Sequence, residues 1–146
     1  MASRSQLETL IDLAQRATDD AAKRLGAALS AVQTAEQQSQ MLLDYRDDYA
    51  ARFEASLANG MTPTAYRNFQ AFMGKLDAAI AGQQEVLRHA RRRGEMAKDV
   101  WQDCERKRMS YTTLDERAQQ AAQRVEAKRD QKLMDEHAAR AAYYKR

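Results

Sequence analysis

The chain has 146 residues and a formal net charge of +3 at pH 7; 31% of its residues are charged, and it contains one proline, five glycines and one cysteine. This composition is typical of long helices rather than of a sheet protein, and a lone cysteine excludes an internal disulfide framework and a multi-cysteine metal site. The length indicates a single domain, 1–146, and the thinly spread apolar residues indicate that each helix buries only a stripe.

The first predicted helix covers about residues 5–58 and carries a seven-residue repeat of apolar side chains, which is typical of a supercoiled seam. Alanines dominate the middle of the repeat, and alanine lets helices approach closely but contributes little buried area. We therefore expect a thin and weakly stable coiled coil there. The repeat consists of Leu7, Ala14, Ala21, Ala28, Ala35, Leu42 and Tyr49.

A short break at about residues 59–63 separates two helical patterns and contains the only proline of the chain. Asn59-Gly60 suits a left-handed residue that ends a helix, and Thr62-Pro63 suits an N-cap followed by proline at the first helical position. Because one helix stops and another starts within about five residues, we expect an antiparallel coiled-coil hairpin. The alternatives are one continuous helix kinked at Pro63 and a domain-swapped dimer with the turn opened out.

The second predicted helix covers about residues 64–140. Its apolar residues recur at alternating intervals of four and three from Phe69 to Tyr111, which is the spacing of a coiled-coil seam. Gln83, Gly94 and Arg108 interrupt the seam, and such breaks set the register of pairing at some cost in stability. Folding at the turn pairs residue i with about residue 122 − i.

The chain after about residue 114 has no partner helix in this register. The segment from Leu114 to Arg146 carries eight Lys/Arg against six Asp/Glu, and an isolated helix of that length is marginal in water. We therefore expect this tail to remain unpaired until another protein binds it.

No stretch of the sequence has the spacing of a catalytic, nucleotide-binding or metal-binding motif. A P-loop is absent, and His89 and His137 have no second ligand at helical spacing. We expect no enzyme activity, no cofactor, no metal and no small-molecule substrate. The basic run 88–93 favours a solvated face or an acidic protein partner over nucleic acid, because acidic residues follow it and aromatic residues are not interleaved with it.

The sequence also lacks the signals of a membrane or secreted protein. No window approaches the roughly 18 apolar residues of a membrane span, and the first residues lack the apolar segment of a signal peptide. We expect a soluble protein of a bacterial cytoplasm.

Six aromatic residues lie within about 18 residues of Gly60. A two-stranded coil buries one narrow stripe on each helix, and other residues of the second helix already occupy it, so Phe72 must lie on the flank. One interpretation is a broader core near the turn, and the other is an exposed apolar docking patch. The patch would consist of Gln38, Leu42, Tyr45, Tyr49, Phe72, Leu76, Ala79 and Gln83.

An ordered set of short stretches runs along the whole chain. It includes Leu7-Glu8-Thr9-Leu10, Asp19-Asp20-Ala21-Ala22, Met41-Leu42, Asp44-Tyr45, Asn59-Gly60, Ala79-Ile80 and Met134-Asp135-Glu136. Together these stretches resemble the FliJ family of flagellar export proteins. The resemblance implies an antiparallel two-helix coiled coil, similar to the central-stalk subunit of rotary ATPases, at the cytoplasmic face of the inner membrane in the bacterial flagellar type III export apparatus. It implies binding to the hexameric export ATPase FliI, to the export gate FlhA and to export chaperones.

The resemblance also implies where these partners bind. The patch near the turn matches positions that the family presents to the gate, with Gln83 extending that face, and the tail after Leu114 is the candidate chaperone site. The end that holds the chain termini would enter the ATPase ring. The residues implied for the ring are Leu7, Leu10, Ala14, Ala17, Ala21, Trp101 and Tyr111.

The residues alone leave other functions open. A holdase-like chaperone would grip unfolded clients with its unpaired helix and would need no ATPase. A generic coiled-coil scaffold has the same composition. A nucleic-acid-binding coiled coil would show a steep dependence of binding on salt.

Overall fold

The computed structural model describes residues 4–145, and within that range it contains two α-helices and no strand. Helix α1 spans Arg4–Ala58 and helix α2 spans Pro63–Tyr144. Side chains of the two helices contact each other across an antiparallel hairpin with a longer second helix, which confirms the predicted all-α fold. Helix α2 continues past the predicted end near residue 140.

The turn contains the features of a helix stop followed by a helix start. Gly60 has a φ of 93°, a left-handed conformation that glycine adopts without steric cost, and its N–H donates to the Leu57 carbonyl oxygen at 3.2 Å. The Thr62 hydroxyl oxygen accepts a hydrogen bond from the Ala65 N–H at 3.1 Å, so Thr62 is the N-cap. Pro63 is the first residue of α2. The alternative prediction of one continuous helix kinked at Pro63 is therefore wrong.

Residues 19–102 form one unit whose core is a narrow stripe along both helices. Small residues at most of the buried positions allow close approach of the helices but remove little apolar surface from water. No large side chain among the described residues is completely buried. The buried residues of this unit are Ala21, Ala35, Ser39, Leu76, Ile80, Ala90 and Gly94.

Polar contacts between the helices define the register of this unit. Gln38 pairs with Gln83 and Arg46 pairs with Asp77, so the paired residue numbers add up to 121 and 123. These values agree with the predicted pairing of residue i with about residue 122 − i. Gln83, which interrupts the apolar seam, also donates its Nε2 to the Ala35 carbonyl oxygen at 3.3 Å. A polar seam residue with such specific partners fixes one register over its neighbours.

Residues 4–18 and 103–145 form a second unit. Ala14 and Thr18 are buried in it, and the Thr18 hydroxyl donates to the Ala14 carbonyl oxygen at 2.9 Å. Asp115 is the last residue of α2 that is partly covered, and all residues in 116–145 are exposed. Within residues 4–145, neither helix has a segment with the length and hydrophobicity that crossing a membrane requires.

Candidate functional site

Aromatic rings from both helices pack against one another next to the turn. The ring of Tyr49 lies 4.5 Å from that of Phe72 and 4.9 Å from that of Phe69. Phe53 lies 5.1 Å from Phe69 and 5.6 Å from Tyr66. Centroid separations of this size are favourable for aromatic pairs and bury large apolar surfaces. The sequence-based interpretation of a broad core near the turn therefore describes part of the cluster.

The outer part of the cluster is open to solvent. Phe72 is 36% exposed, and its ring meets that of Tyr45, an exposed residue, edge-on at 6.2 Å. Phe72 follows the seam residue Phe69 by three positions, and this spacing turns its ring to the flank of α2. Tyr45 reaches the same flank from α1. The structure thus brings together an aromatic surface that no residue of the described chain covers completely.

The remaining patch residues predicted on α2 differ in accessibility. Ala79 is exposed, and Gln83 is half-buried and bonded to Gln38. Leu76 is only 6% exposed because it occupies the seam. Its side chain therefore offers almost no surface to another protein.

The sequence interpretation missed Met41 as part of this surface. Met41 is 69% exposed and lines a shallow depression together with Gln38, Leu42, Tyr45 and Gln83. The signal was present, because Gln38, Met41 and Tyr45 follow one another at intervals of three and four and must share one face of α1. We call the exposed or half-exposed residues of this surface the turn-proximal patch: Gln38, Met41, Leu42, Tyr45, Tyr49, Phe72, Ala79 and Gln83.

An ion pair joins the helices at the same level as the patch. Arg46 Nε donates to Asp77 Oδ1 at 2.6 Å. This hydrogen bond, reinforced by the charge of Asp77, raises the pKa of the Arg46 guanidinium above its usual value. The Arg46 guanidinium therefore remains charged throughout the physiological range, and its hydrogen bond to Asp77 connects the two helices.

The residues predicted for the ATPase ring fall into both units. In the unit of residues 4–18 and 103–145, Leu10 and Ala17 are exposed, Leu7 and Tyr111 are half-buried, and Ala14 is buried. Leu10, Leu13, Ala14, Ala17, Cys104, Lys107 and Tyr111 line a shallow depression there.

The other two residues predicted for the ATPase ring lie in the unit of residues 19–102. Ala21 is buried and Trp101 is half-buried, and both belong to the unit of residues 19–102. Sequence reasoning did not include Leu13, although it is more than half exposed and borders the depression. Its position three residues after Leu10 is the signal that would have identified it.

Three ion pairs in the unit of residues 4–18 and 103–145 each join residues three or four positions apart on one helix. Arg108 donates hydrogen bonds to the Glu105 carboxylate one turn earlier. This contact lowers the pKa of Glu105 below its usual value and holds the carboxyl ionised. Among the described residues, no group of three His, Cys, Asp or Glu side chains is close enough to hold a metal ion.

Comparisons with known proteins extend over nearly the whole chain. The sequence profile of the flagellar FliJ proteins matches residues 3–146. A flagellar FliJ protein from Salmonella typhi is 36% identical over 145 residues, and one from Escherichia coli strain K12 is 35% identical over 145 residues. Each alignment covers 99% of this chain and 99% of the relative.

Proposed function

Because similarity over nearly its whole length shows that the chain belongs to the FliJ family of flagellar proteins, we propose that it is a non-enzymatic coupling component of the bacterial flagellar type III export apparatus. It binds the export ATPase FliI at one surface and the export gate FlhA at another. Differential contacts at the two surfaces couple the states of the two partners. The observation that carries this proposal is the open aromatic surface of the turn-proximal patch.

The chemistry of the turn-proximal patch supports its assignment to the gate. Tyrosine and phenylalanine are enriched in the buried centres of protein interfaces, and here Tyr45 and Phe72 present their rings to solvent. Met41 adds a flexible apolar side chain beside them. Tyr49 packs on the inner side of Phe72 at 4.5 Å and holds that ring in place. A partner side chain that enters the depression therefore meets a largely preformed surface.

The double variant Tyr45→Ala/Phe72→Ala tests the gate assignment. Titration of the full chain with the cytoplasmic part of its host's gate protein should show binding weakened by at least tenfold, because both exposed rings are lost. The matched control is Tyr143→Ala/Tyr144→Ala, which removes two exposed rings that contact each other at 5.8 Å in the tail.

The same titrations can contradict the proposal that the turn-proximal patch binds the gate protein. Unchanged gate binding in the patch variant, or an equal loss in the tail control, would contradict it. Leu76→Ala is not a suitable probe, because Leu76 is buried in the seam and its truncation disturbs the fold.

The depression lined by Leu10, Leu13 and Ala17 supports the proposal that the export ATPase binds at this surface. Leu10 and Leu13 are exposed beside the small side chain of Ala17, so a ring of partner subunits can contact them directly. We expect Leu10→Ser/Leu13→Ser to reduce stimulation of the export ATPase and to leave gate binding unchanged. Leu29→Ser is the control, since Leu29 is an exposed leucine of the same helix in the other unit. Loss of both activities in the Leu10/Leu13 variant would indicate unfolding instead of a separate site.

The exposed tail supports a third contact, with export chaperones. Val125, Leu133 and Met134 are all exposed, and an uncovered helix with such side chains is marginal in water. Replacement of Leu133 and Met134 by serine should weaken chaperone binding without changing binding to the gate or the ATPase.

The same tail favours a second candidate function, a holdase-like chaperone. A holdase would suppress light scattering by an aggregating client protein with no export component present, and the Leu133→Ser/Met134→Ser variant would lose that suppression. The coupling role predicts no such suppression by the unaltered chain.

The coupling role also defines a location. The chain would be cytoplasmic and peripheral at the inner membrane of the flagellar base, held there through the gate. Fractionation of host cells should find it with the membranes when the gate protein is present and in the soluble fraction when the gate protein is deleted. Membrane association that persists without the gate protein would contradict this location.

A further inference from the structure

A strip of apolar and basic side chains runs along one side of α2 within residues 19–102. Val86, Arg93 and Val100 follow one another at intervals of seven, and His89 and Met96 follow the first two by three residues, so all five share one side of the helix. The exposed fractions are 48% for Val86, 60% for Met96 and 50% for Val100. We call these residues and Arg92 the basic–apolar strip.

The opposite flank of the same unit is bridged by ion pairs. Asp77 and Arg91, which are also separated by a multiple of seven, pair with Arg46 at 2.6 Å and with Glu36 at 3.2 Å. A coiled-coil seam has one flank on each side. In this unit, one flank is therefore bridged between the helices, and the flank that carries the basic–apolar strip has large apolar side chains without such a bridge.

The positive charges of the strip are available for another molecule. Among the residues that the structure describes, neither Arg92 nor Arg93 takes part in an ion pair, whereas the neighbouring Arg88 and Arg91 are each paired with a glutamate. His89 lies 3.9 Å from the carboxylate that Arg88 binds. Two guanidinium groups without a carboxylate partner thus lie beside exposed apolar surface.

Helix α1 leaves room next to the strip. The contact between Tyr45 and Phe72 gives the register of this flank, and in that register Val86 lies opposite Ala31. Ala31 is small and exposed, so it does not cover the strip. Arg24 lies seven residues before Ala31 on α1 and adds a positive charge to the same side. On α2, a shallow depression is lined by Val86, His89, Arg92, Arg93 and Met96.

We propose that the basic–apolar strip binds an amphipathic helix of a partner protein that carries carboxylates beside its apolar residues, so that a three-helix coiled coil forms. Apolar side chains of that helix cover Val86, Met96 and Val100, and its carboxylates pair with Arg92 and Arg93. Nucleic acid fits less well, because valine and methionine offer bases neither hydrogen bonds nor aromatic stacking. This binding activity does not depend on the proposed contacts with the gate and the ATPase.

Synthetic helices test the proposal with the full chain. The main probe is a fluorescein-labelled peptide of about 21 residues, three heptads, with leucine at the a and d positions and glutamate at the e and g positions, where like charges oppose self-pairing. One comparison peptide has lysine in place of glutamate, and another has serine in place of leucine. Fluorescence anisotropy at physiological salt should show binding of the first peptide and at least tenfold weaker binding of the other two.

Substitutions in the strip identify the site. Arg92→Glu/Arg93→Glu should weaken binding of the glutamate peptide at least tenfold and should strengthen binding of the lysine peptide. Val86→Ser/Met96→Ser should weaken the binding of both peptides. The matched controls in the exposed tail, Arg124→Glu/Arg129→Glu and Val125→Ser/Met134→Ser, should change neither peptide's affinity. Amide exchange of residues 86–100 should slow when the glutamate peptide is bound.

Several results would overturn the proposal. One is equal binding of the glutamate peptide with and without its leucines, which would mean charge attraction alone. Others are loss of binding only in the tail controls, and displacement of the peptide from the strip by phosphatidylglycerol vesicles or duplex DNA. A dimer of the free chain that dissociates on Arg92→Glu/Arg93→Glu would instead assign the strip to a second copy. Failure of gate binding in the earlier titrations would leave this proposal unaffected.

Discussion

Two segments of the same hairpin unit share one helical repeat but fill the seam differently. Next to the turn, five aromatic residues are linked by four ring contacts between the helices, with ring centroids 4.5–5.6 Å apart. Further from the turn, Ala21, Ala35, Ala90 and Gly94 occupy buried positions. We call the first, 42–56 with 66–80, the aromatic segment and the second, 21–35 with 87–101, the alanine segment.

The difference shows that one fold can carry two local stabilities. Burial of an aromatic ring removes several times more apolar surface from water than burial of an alanine methyl group. The alanine segment therefore holds its helices together with less free energy per turn, although its backbone is as regular. The same aromatic residues that stabilise the first segment also form its exposed patch, so stability and recognition coincide near the turn.

Leu76→Ala should have the largest effect, because Leu76 is a large seam side chain that is only 6% exposed. We expect a loss of about 2–4 kcal/mol in the free energy of unfolding, measured with urea. Leu133→Ala, at an exposed tail position, should change it by less than about 0.5 kcal/mol. Equal losses in the two variants would mean that burial does not distinguish the seam from the tail.

Amide hydrogen exchange tests directly whether the aromatic segment is more stable than the alanine segment. Backbone amides in 42–56 should exchange at least tenfold more slowly than those in 21–35, which corresponds to about 1.4 kcal/mol of local opening free energy. The measurement uses the unaltered chain, and both stretches lie within α1, which spans Arg4–Ala58. Uniform exchange along both stretches would show that the hairpin opens as one cooperative unit.

Gly94→Ala should stabilise the alanine segment. A Cβ at position 94 would lie 3.7 Å from Val32 Cγ2 and 3.8 Å from Leu29 Cδ2, which is ordinary contact, and alanine is favoured over glycine inside a helix. We expect a gain of about 0.5–1 kcal/mol. Gly82→Ala, where a Cβ would meet no atom within 4 Å, is the control for helix propensity alone. A loss of stability at position 94 would show that the helices there are too close for a methyl group.

The smallest effect should come from Asp77→Asn, which removes the charge partner of Arg46 at the level of the patch. Both side chains are about half exposed, so solvent screens their attraction. The pKa of Arg46 is raised in the folded chain. The stability that its ion pair contributes is therefore fully present below the ordinary arginine pKa, and it is lost only as the pH rises through the higher pKa of the folded state. Thermal unfolding should therefore differ slightly from wild type at low salt, equally at pH 6 and pH 9, and the difference should vanish at high salt. A large difference that persists at high salt would contradict this.

The helices, the turn and the register follow from the amino-acid sequence without further information. Gly60 and Thr62 specify a stop and a cap through local backbone geometry, which needs no other part of the chain. The seam follows from side-chain spacing, and a single reversal at the turn then fixes which residues face each other. The family could likewise be identified from the ordered resemblance, because each stretch that carries it is a local run of residues.

Which residues beside the seam remain open depends on the tertiary structure. Residue spacing predicts Leu76 in the docking patch, but Leu76 is buried, whereas Met41 lies outside that prediction and is 69% exposed. Periodicity assigns a residue to a face, but its accessibility depends on the size of the side chain opposite and on which flank the ion pairs occupy. The opposing side chain and the ion-pair partner both lie on the other helix, so the spacing of residues along one helix does not determine them.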